Sequence, residues 1–228
     1  EVVFIPNRFT IHEIDFNDKE NYIISKSLVS NAIKKGWYKP ENEDYSNFDF
    51  AKAYQRDYQD FDPRQHVAQW IITGKEPEYD TLPFSVKPDR KLGLDDVKNI
   101  LRSHYENTRF DASNNLNISP YRTNIRVIDA SHTQFSNIFE FSENKDLTVN
   151  WKAIGRTSSS VYIPFILGGE YVPETMSFIP YQEGIDKKFE NTDPKNFSYN
   201  QNLLWWKQIE LQSLLEPKYK SCLLYTSP

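Results

Sequence analysis

Apolar positions along the chain change period several times, and each change marks an element. Val2, Val3, Phe4 and Ile5 open an apolar run that predicts a strand, followed by a turn at Pro6-Asn7 and a second strand from Phe9 to Ile14. Tyr22–Lys35 fits a helix, closed by Gly36 in the position that favours positive φ. A polar loop and a short helix around Phe50–Tyr54 follow. Asp62-Pro63, an N-cap with proline in the first turn, opens a helix through about Ile72 that stops at Gly74. Residues 75–90, with prolines at 77, 83 and 88, read as an extended connector. Leu94, Val97, Ile100, Leu101 and Tyr105 then form one helical stripe, with Asp95 and Asp96 in the first turn where the macrodipole favours them.

Beyond the Asn-rich loop at 113–117 the period falls to two. Leu147, Val149, Trp151 and Ala153 alternate with Thr148, Asn150 and Lys152, which predicts a half-buried strand with Arg122–Ile128 and Gln134–Phe141 as neighbours. Trp205 with Ile209, and Leu204 with Leu211 and Leu215, mark a late helix stopped by Pro217. Helices and antiparallel-type strands mix without βαβ regularity, so the class is α+β.

Composition sharpens this picture in two ways. Fifteen Phe, 14 Tyr and 5 Trp supply large apolar surfaces that a disordered chain would lack. A net charge of −5 and a pI near 5.5 argue against a nucleic-acid partner, since Lys34-Lys35 and Lys187-Lys188 are too short for a polyanion patch. No apolar run approaches the roughly 20 residues of a membrane span.

Chemistry-bearing motifs are few. There is no G-x-S-x-G elbow, P-loop or G-x-G-x-x-G, and His12, His66, His104 and His132 never fall at metal-ligand spacing, so neither metal nor cofactor is expected. His104 and Glu106, at the end of the amphipathic helix, predict a solvated helix face. Ser158-Ser159-Ser160 predicts a loop or cap. Asn7 ends an apolar strand, where an amide could donate to an oxyanion, although a plain turn residue is the ordinary reading. Arg64 stands in the first turn of its helix, where the dipole disfavours a cation, which hints at a partner such as a buried carboxylate or thiolate.

A long resemblance adds to these residues. Leu82-Pro83-Phe84-Ser85-Val86-Lys87-Pro88-Asp89 and Leu101-Arg102-Ser103-His104-Tyr105-Glu106-Asn107-Thr108-Arg109-Phe110-Asp111 resemble the PFSVKPD-like and LR-x-HYE-x-T-x-FD-like runs of the dipeptidase D type, relatives of the secernins. Shorter likenesses lie at Ile5–Phe9, at Asp49–Tyr54 (an FNFAKAY-like segment), at Arg126–Ser136 with Thr133, and at Tyr162-Ile163-Pro164-Phe165 (a YVPFY-like turn). The resemblance implies a four-layer αββα N-terminal-nucleophile hydrolase fold. It also implies a cysteine nucleophile whose own α-amine is the general base, and dipeptide substrates. Asn7 matches the family's oxyanion asparagine, and Arg64 stands where the arginine beside the thiol is expected. Homo-oligomerisation stays open.

The nucleophile has no counterpart here. Cys222 is the sole cysteine, and it lies in the closing heptapeptide, 222–228, which resembles a translated sequencing adapter. The resemblance therefore implies that residues 1–221 are the C-terminal-side part of a single dipeptidase domain, inactive without the missing N-terminal part. Two rival readings suit the aromatic, acidic composition: a glycoside hydrolase with paired carboxylates, and an aromatic-rich carbohydrate- or protein-binding module.

Overall fold

Asp62 shows how locally this chain can specify itself. Its carboxylate accepts from the Arg64 N–H at 2.8 Å, Pro63 fills the first helical position, and Gly74 closes the helix at φ 69°. The helix so bounded, Pro63–Thr73 (α3), is among the elements of a computed structural model that describes residues 1–41, 43, 45–78, 82–114, 119–169, 173–176 and 199–218. The chain forms two compact units, Glu1–Leu92 and Gly93–Pro228. Lys187-Lys188 and the heptapeptide with Cys222 lie outside the described residues. The mixture of helices and antiparallel strands is that of an α+β protein.

In the first unit, Leu28–Lys34 (α1) starts later than the expected Tyr22 because Ser25 and Ser27 bond to one another and to local backbone, a competitor to helix. Its end follows expectation. Gly36 takes φ 70°, its N–H reaches the Ile33 carbonyl at 2.9 Å, and the Trp37 N–H reaches Ala32 at 2.9 Å, a Schellman closure. Phe50–Tyr54 (α2) is capped by Asp49, which accepts from the Lys52 N–H at 2.8 Å.

The strand expected over Phe9–Ile14 does not form. The Phe50 and Ala51 N–H groups, orphaned at the start of α2, donate to the carbonyls of His12 (2.9 Å) and Ile11 (3.0 Å). With the central Ile11 and His12 carbonyls committed to a helix end, the segment lacks two of the acceptors a ladder would use. Val2–Val3 (β1) is all that remains of the first strand, and it pairs antiparallel with Ser85–Val86 (β2), inside the expected connector. Gln65 and Gln69 fix that connector by donating to the Pro83 carbonyl at 3.4 and 2.7 Å. Ala32, Phe48, Ala51, Val67, Ala68 and Ile72 form the core.

In the second unit, Leu94–Arg102 (α4) begins where expected, with the Gly93 N–H held by Asp96 at 2.7 Å. It ends three residues short of Tyr105, whose φ is +72°. Phe135–Glu140 (β3), Val149–Ile154 (β4) and Ile163–Ile166 (β5) make an antiparallel sheet in the order β3-β4-β5. Arg122–Ile128 is not a strand. Its backbone is engaged elsewhere: the Thr123 hydroxyl reaches the carbonyls of Pro120 and Ile125, and the Arg126 carbonyl accepts from the Tyr105 hydroxyl at 2.6 Å. The vacancy is filled by β5, the segment expected to turn. Pro164 is tolerated opposite Trp151 because β5 is an edge strand.

Leu204–Leu215 (α5) runs as expected but turns its polar side inward. Gln208 and Gln212 are buried, while Leu211 and Leu214 are exposed. Pro217 lies in a 3₁₀ turn, Glu216–Lys218. Among the described residues no helix is long and apolar enough to cross a membrane.

Candidate active site

Asp62 does more than cap α3. Arg64 folds back over it, donating Nε to Oδ1 at 3.1 Å and Nη2 to Oδ2 at 2.6 Å, a forked ion pair in which both side chains are largely buried. The partner that the cation's position called for is thus a carboxylate. Arg64 Nη1 then donates to Asn7 Oδ1, joining two residues 57 apart in sequence.

This contact decides how Asn7 is oriented. Arginine has only donors, so the amide atom facing it is the oxygen. Asn7 Nδ2 is turned the other way, and among the described residues nothing accepts from it. The Arg8 N–H bonds to the Pro6 carbonyl at 2.7 Å, a three-residue turn with Asn7 at its apex. The side chain is exposed there, with its donor edge free. Asn7 is thus a turn residue, as in the ordinary reading, and one whose amide N–H edge is open.

A cleft of about 1040 Å³ adjoins this pair in sequence on both sides, since Arg8 and Gln65 line it together with Tyr58, Phe61, Pro83 and Phe84. The Arg8 guanidinium lies 5.6 Å from the centre of the Tyr58 ring and donates to the Gln59 carbonyl. Burial, then the charge of Asp49 and a hydrogen bond to Asp60, raise the Tyr58 phenol above its ordinary value. His12, on the cleft wall, is committed to Asp49 at 2.9 Å.

The second unit holds a polar centre that the sequence did not announce. His104 is fully buried, not solvated on a helix face. Its Nδ1 meets Glu106 at 2.9 Å and its Nε2 lies 3.3 Å from Asp129, itself 1% exposed. Asp129 accepts in addition from the Tyr121 hydroxyl (2.8 Å), the Thr157 N–H and hydroxyl (2.9 Å each) and the Ser158 N–H (3.1 Å). Burial alone would push the imidazole down, but the hydrogen bonds and charges of Asp129 and Glu106 outweigh it and lift it from 6.5 to about 9. The same imidazolium holds both carboxylates below their usual range against their own burial.

Ser158-Ser159-Ser160 is part of the same structure. Thr157–Ser159 form a 3₁₀ turn seated on Asp129, and the Ser158 hydroxyl meets that of Tyr121 at 2.7 Å. The signal for this centre was the HYE run itself, readable only as likeness and not as chemistry. Among the described residues no cluster of three His, Cys, Asp or Glu is placed to hold a metal ion.

Comparison with known proteins gives this geometry a context. The profile of peptidase family C69 matches residues 1–223. A probable dipeptidase of Latilactobacillus sakei is 30% identical over 182 residues, 76% of this chain and 38% of that protein. A probable dipeptidase of Salmonella dublin is 31% identical over 194 residues (79% and 41%), and dipeptidase A of Lactobacillus helveticus is 24% identical over 189 (78% and 39%). The chain therefore spans about two-fifths of the length of these relatives. The resemblance read from the PFSVKPD and HYE runs is borne out, and the glycoside-hydrolase reading finds no support in these matches.

Proposed function

We propose that this chain, which belongs to peptidase family C69, supplies the oxyanion-stabilising side of a cysteine dipeptidase. Relatives of more than twice its length are named dipeptidases, and the family's nucleophile is a cysteine, a residue the chain carries only at Cys222. Residues 1–221 are accordingly the C-terminal-side part of a dipeptidase domain, and the nucleophile belongs to sequence preceding Glu1. The finer architecture is the four-layer αββα fold, with β3-β4-β5 in one of its sheets.

In the reaction, the thiolate attacks the carbonyl carbon of the dipeptide bond. The α-amine of the same cysteine takes the thiol proton and passes it to the departing amine as the C–N bond breaks. Water then releases the acyl group from sulfur. Asn7 Nδ2 donates to the oxygen that becomes negative. Arg64 acts through Asn7: with its charge matched by Asp62, its task is to hold the amide oxygen and so aim the amide N–H outward. The observation that carries this reading is that orientation, in a chain whose family is peptidolytic. The test is turnover of unblocked dipeptides by the full-length protein, alongside the 228-residue chain alone. Hydrolysis by the first and none by the second is expected. A full-length protein inert towards every dipeptide, or an active isolated chain, would overturn it.

A further inference from the structure

We infer that Arg8 is the specificity residue that binds the free α-carboxylate of the dipeptide, an inference that rests on the dipeptidase reading of the neighbouring Asn7. Two arginines stand near this site, and they are in opposite electrostatic states. Arg64 is neutralised by the fork from Asp62. Arg8 has no carboxylate in ion-pair contact among the described residues; it donates Nη2 to the Gln59 carbonyl and rests against the Tyr58 ring. A backbone carbonyl and an aromatic face orient a guanidinium without matching its charge. Nε and Nη1 remain available, and a guanidinium so placed suits planar, two-point recognition of a carboxylate.

Position supports the same assignment. In a dipeptide the scissile carbonyl and the terminal carboxylate are separated by a single residue, about 4 Å along the chain. Groups binding them must be close neighbours, and Asn7 and Arg8 are consecutive in a three-residue turn. Arg8 lines the cleft of about 1040 Å³, whose Phe61 and Phe84 offer apolar surface to the substrate's second side chain. The other charged groups on its wall do not compete for the role. Glu13 and Asp60 are anionic, and His12 is held by Asp49. A cation at this point would direct cleavage to the last peptide bond of a substrate, because only there does a carboxylate lie one residue beyond the scissile bond.

The test compares alanylleucine with its C-terminal amide in the full-length enzyme carrying Arg8→Met or Arg8→Lys. Wild type is expected to favour the free acid by about 10- to 100-fold in kcat/KM, the effect of a charge-assisted hydrogen-bonded pair. Arg8→Met should lose that preference through KM, with kcat little changed and the amide cleaved as before; Arg8→Lys should recover part of it. Equal losses on acid and amide would reduce Arg8 to a structural residue and overturn the inference, as would a wild type indifferent to the carboxylate. Asn7→Ala separates the two readings: a kcat loss on both substrates upholds the oxyanion role even where the Arg8 result is negative.

Discussion

Replacing His104 with glutamine in the full-length protein removes the imidazolium that pairs with Glu106 and Asp129, and the cost depends on pH in a defined way. The imidazolium is raised from 6.5 to about 9 in the folded protein. At about 1.4 kcal/mol for each pH unit, that rise is worth about 3 kcal/mol. A group raised on folding contributes fully below its unfolded value and loses its contribution as pH climbs through the folded one. Wild-type stability should therefore fall by about 3 kcal/mol between pH 6.5 and 9 from this group alone. His104→Gln should lack that decline. Asp129 and Glu106, both lowered, act in the opposite limb: their contribution is present above the ordinary carboxylate range and is lost as pH falls through their folded values. At pH 6, breaking the pair leaves Asp129 uncompensated, at a cost of about 3–5 kcal/mol. Urea denaturation followed by tryptophan fluorescence at pH 6, 7.5 and 9 gives the comparison. Parallel pH profiles for wild type and His104→Gln would refute the argument that this histidine is a charged anchor.

Arg64→Met should lower kcat by more than tenfold while leaving the acid limb of the pH–rate profile in place, because Asp62 already offsets the charge; a raised acid limb would instead assign Arg64 to direct support of the thiolate. Gly155→Ala should destabilise by about 1–2 kcal/mol from its positive φ of 76° alone, and by more than Gly168→Ala. A Cβ at Gly155 meets the buried Gln212 side chain, whereas at Gly168 it meets nothing within 4 Å. Equal thermal shifts for the two glycine variants would show that Gln212 yields freely.

Sequence was most legible where a few adjacent residues decide the backbone. Asp62-Pro63 and Gly74 bracket α3, and Gly36 closes α1, because caps and left-handed glycines act within one turn. It failed where a partner far along the chain takes the hydrogen bonds. Residues 9–14 alternate like a strand, but the Ile11 and His12 carbonyls serve the start of α2. Arg122–Ile128 reads as a strand and is instead drawn to Tyr105. The helix stripe overran to Tyr105 because Ser103, His104 and Glu106 reorganise the chain around a buried charge that periodicity does not register. Of the proposed site, Asn7 and Arg64 were singled out by likeness, and their contact across 57 residues was not legible. Nor was Arg8 singled out, although it lies within the Ile5–Phe9 segment: what distinguishes it from Arg64 is that no carboxylate among the described residues pairs with it, a tertiary property.

The most direct test of the account is the kinetics of Asn7→Ala in the full-length enzyme with unblocked dipeptides. Loss of one preorganised oxyanion donor should lower kcat by about 10²–10³ with KM little changed. Because Asn7 is exposed at the tip of a turn, the variant should melt within a few degrees of wild type. A kcat within a factor of two of wild type, in a protein that folds normally, would contradict the placement of the oxyanion at Asn7 and with it the active site built around the Asn7–Arg64–Asp62 chain.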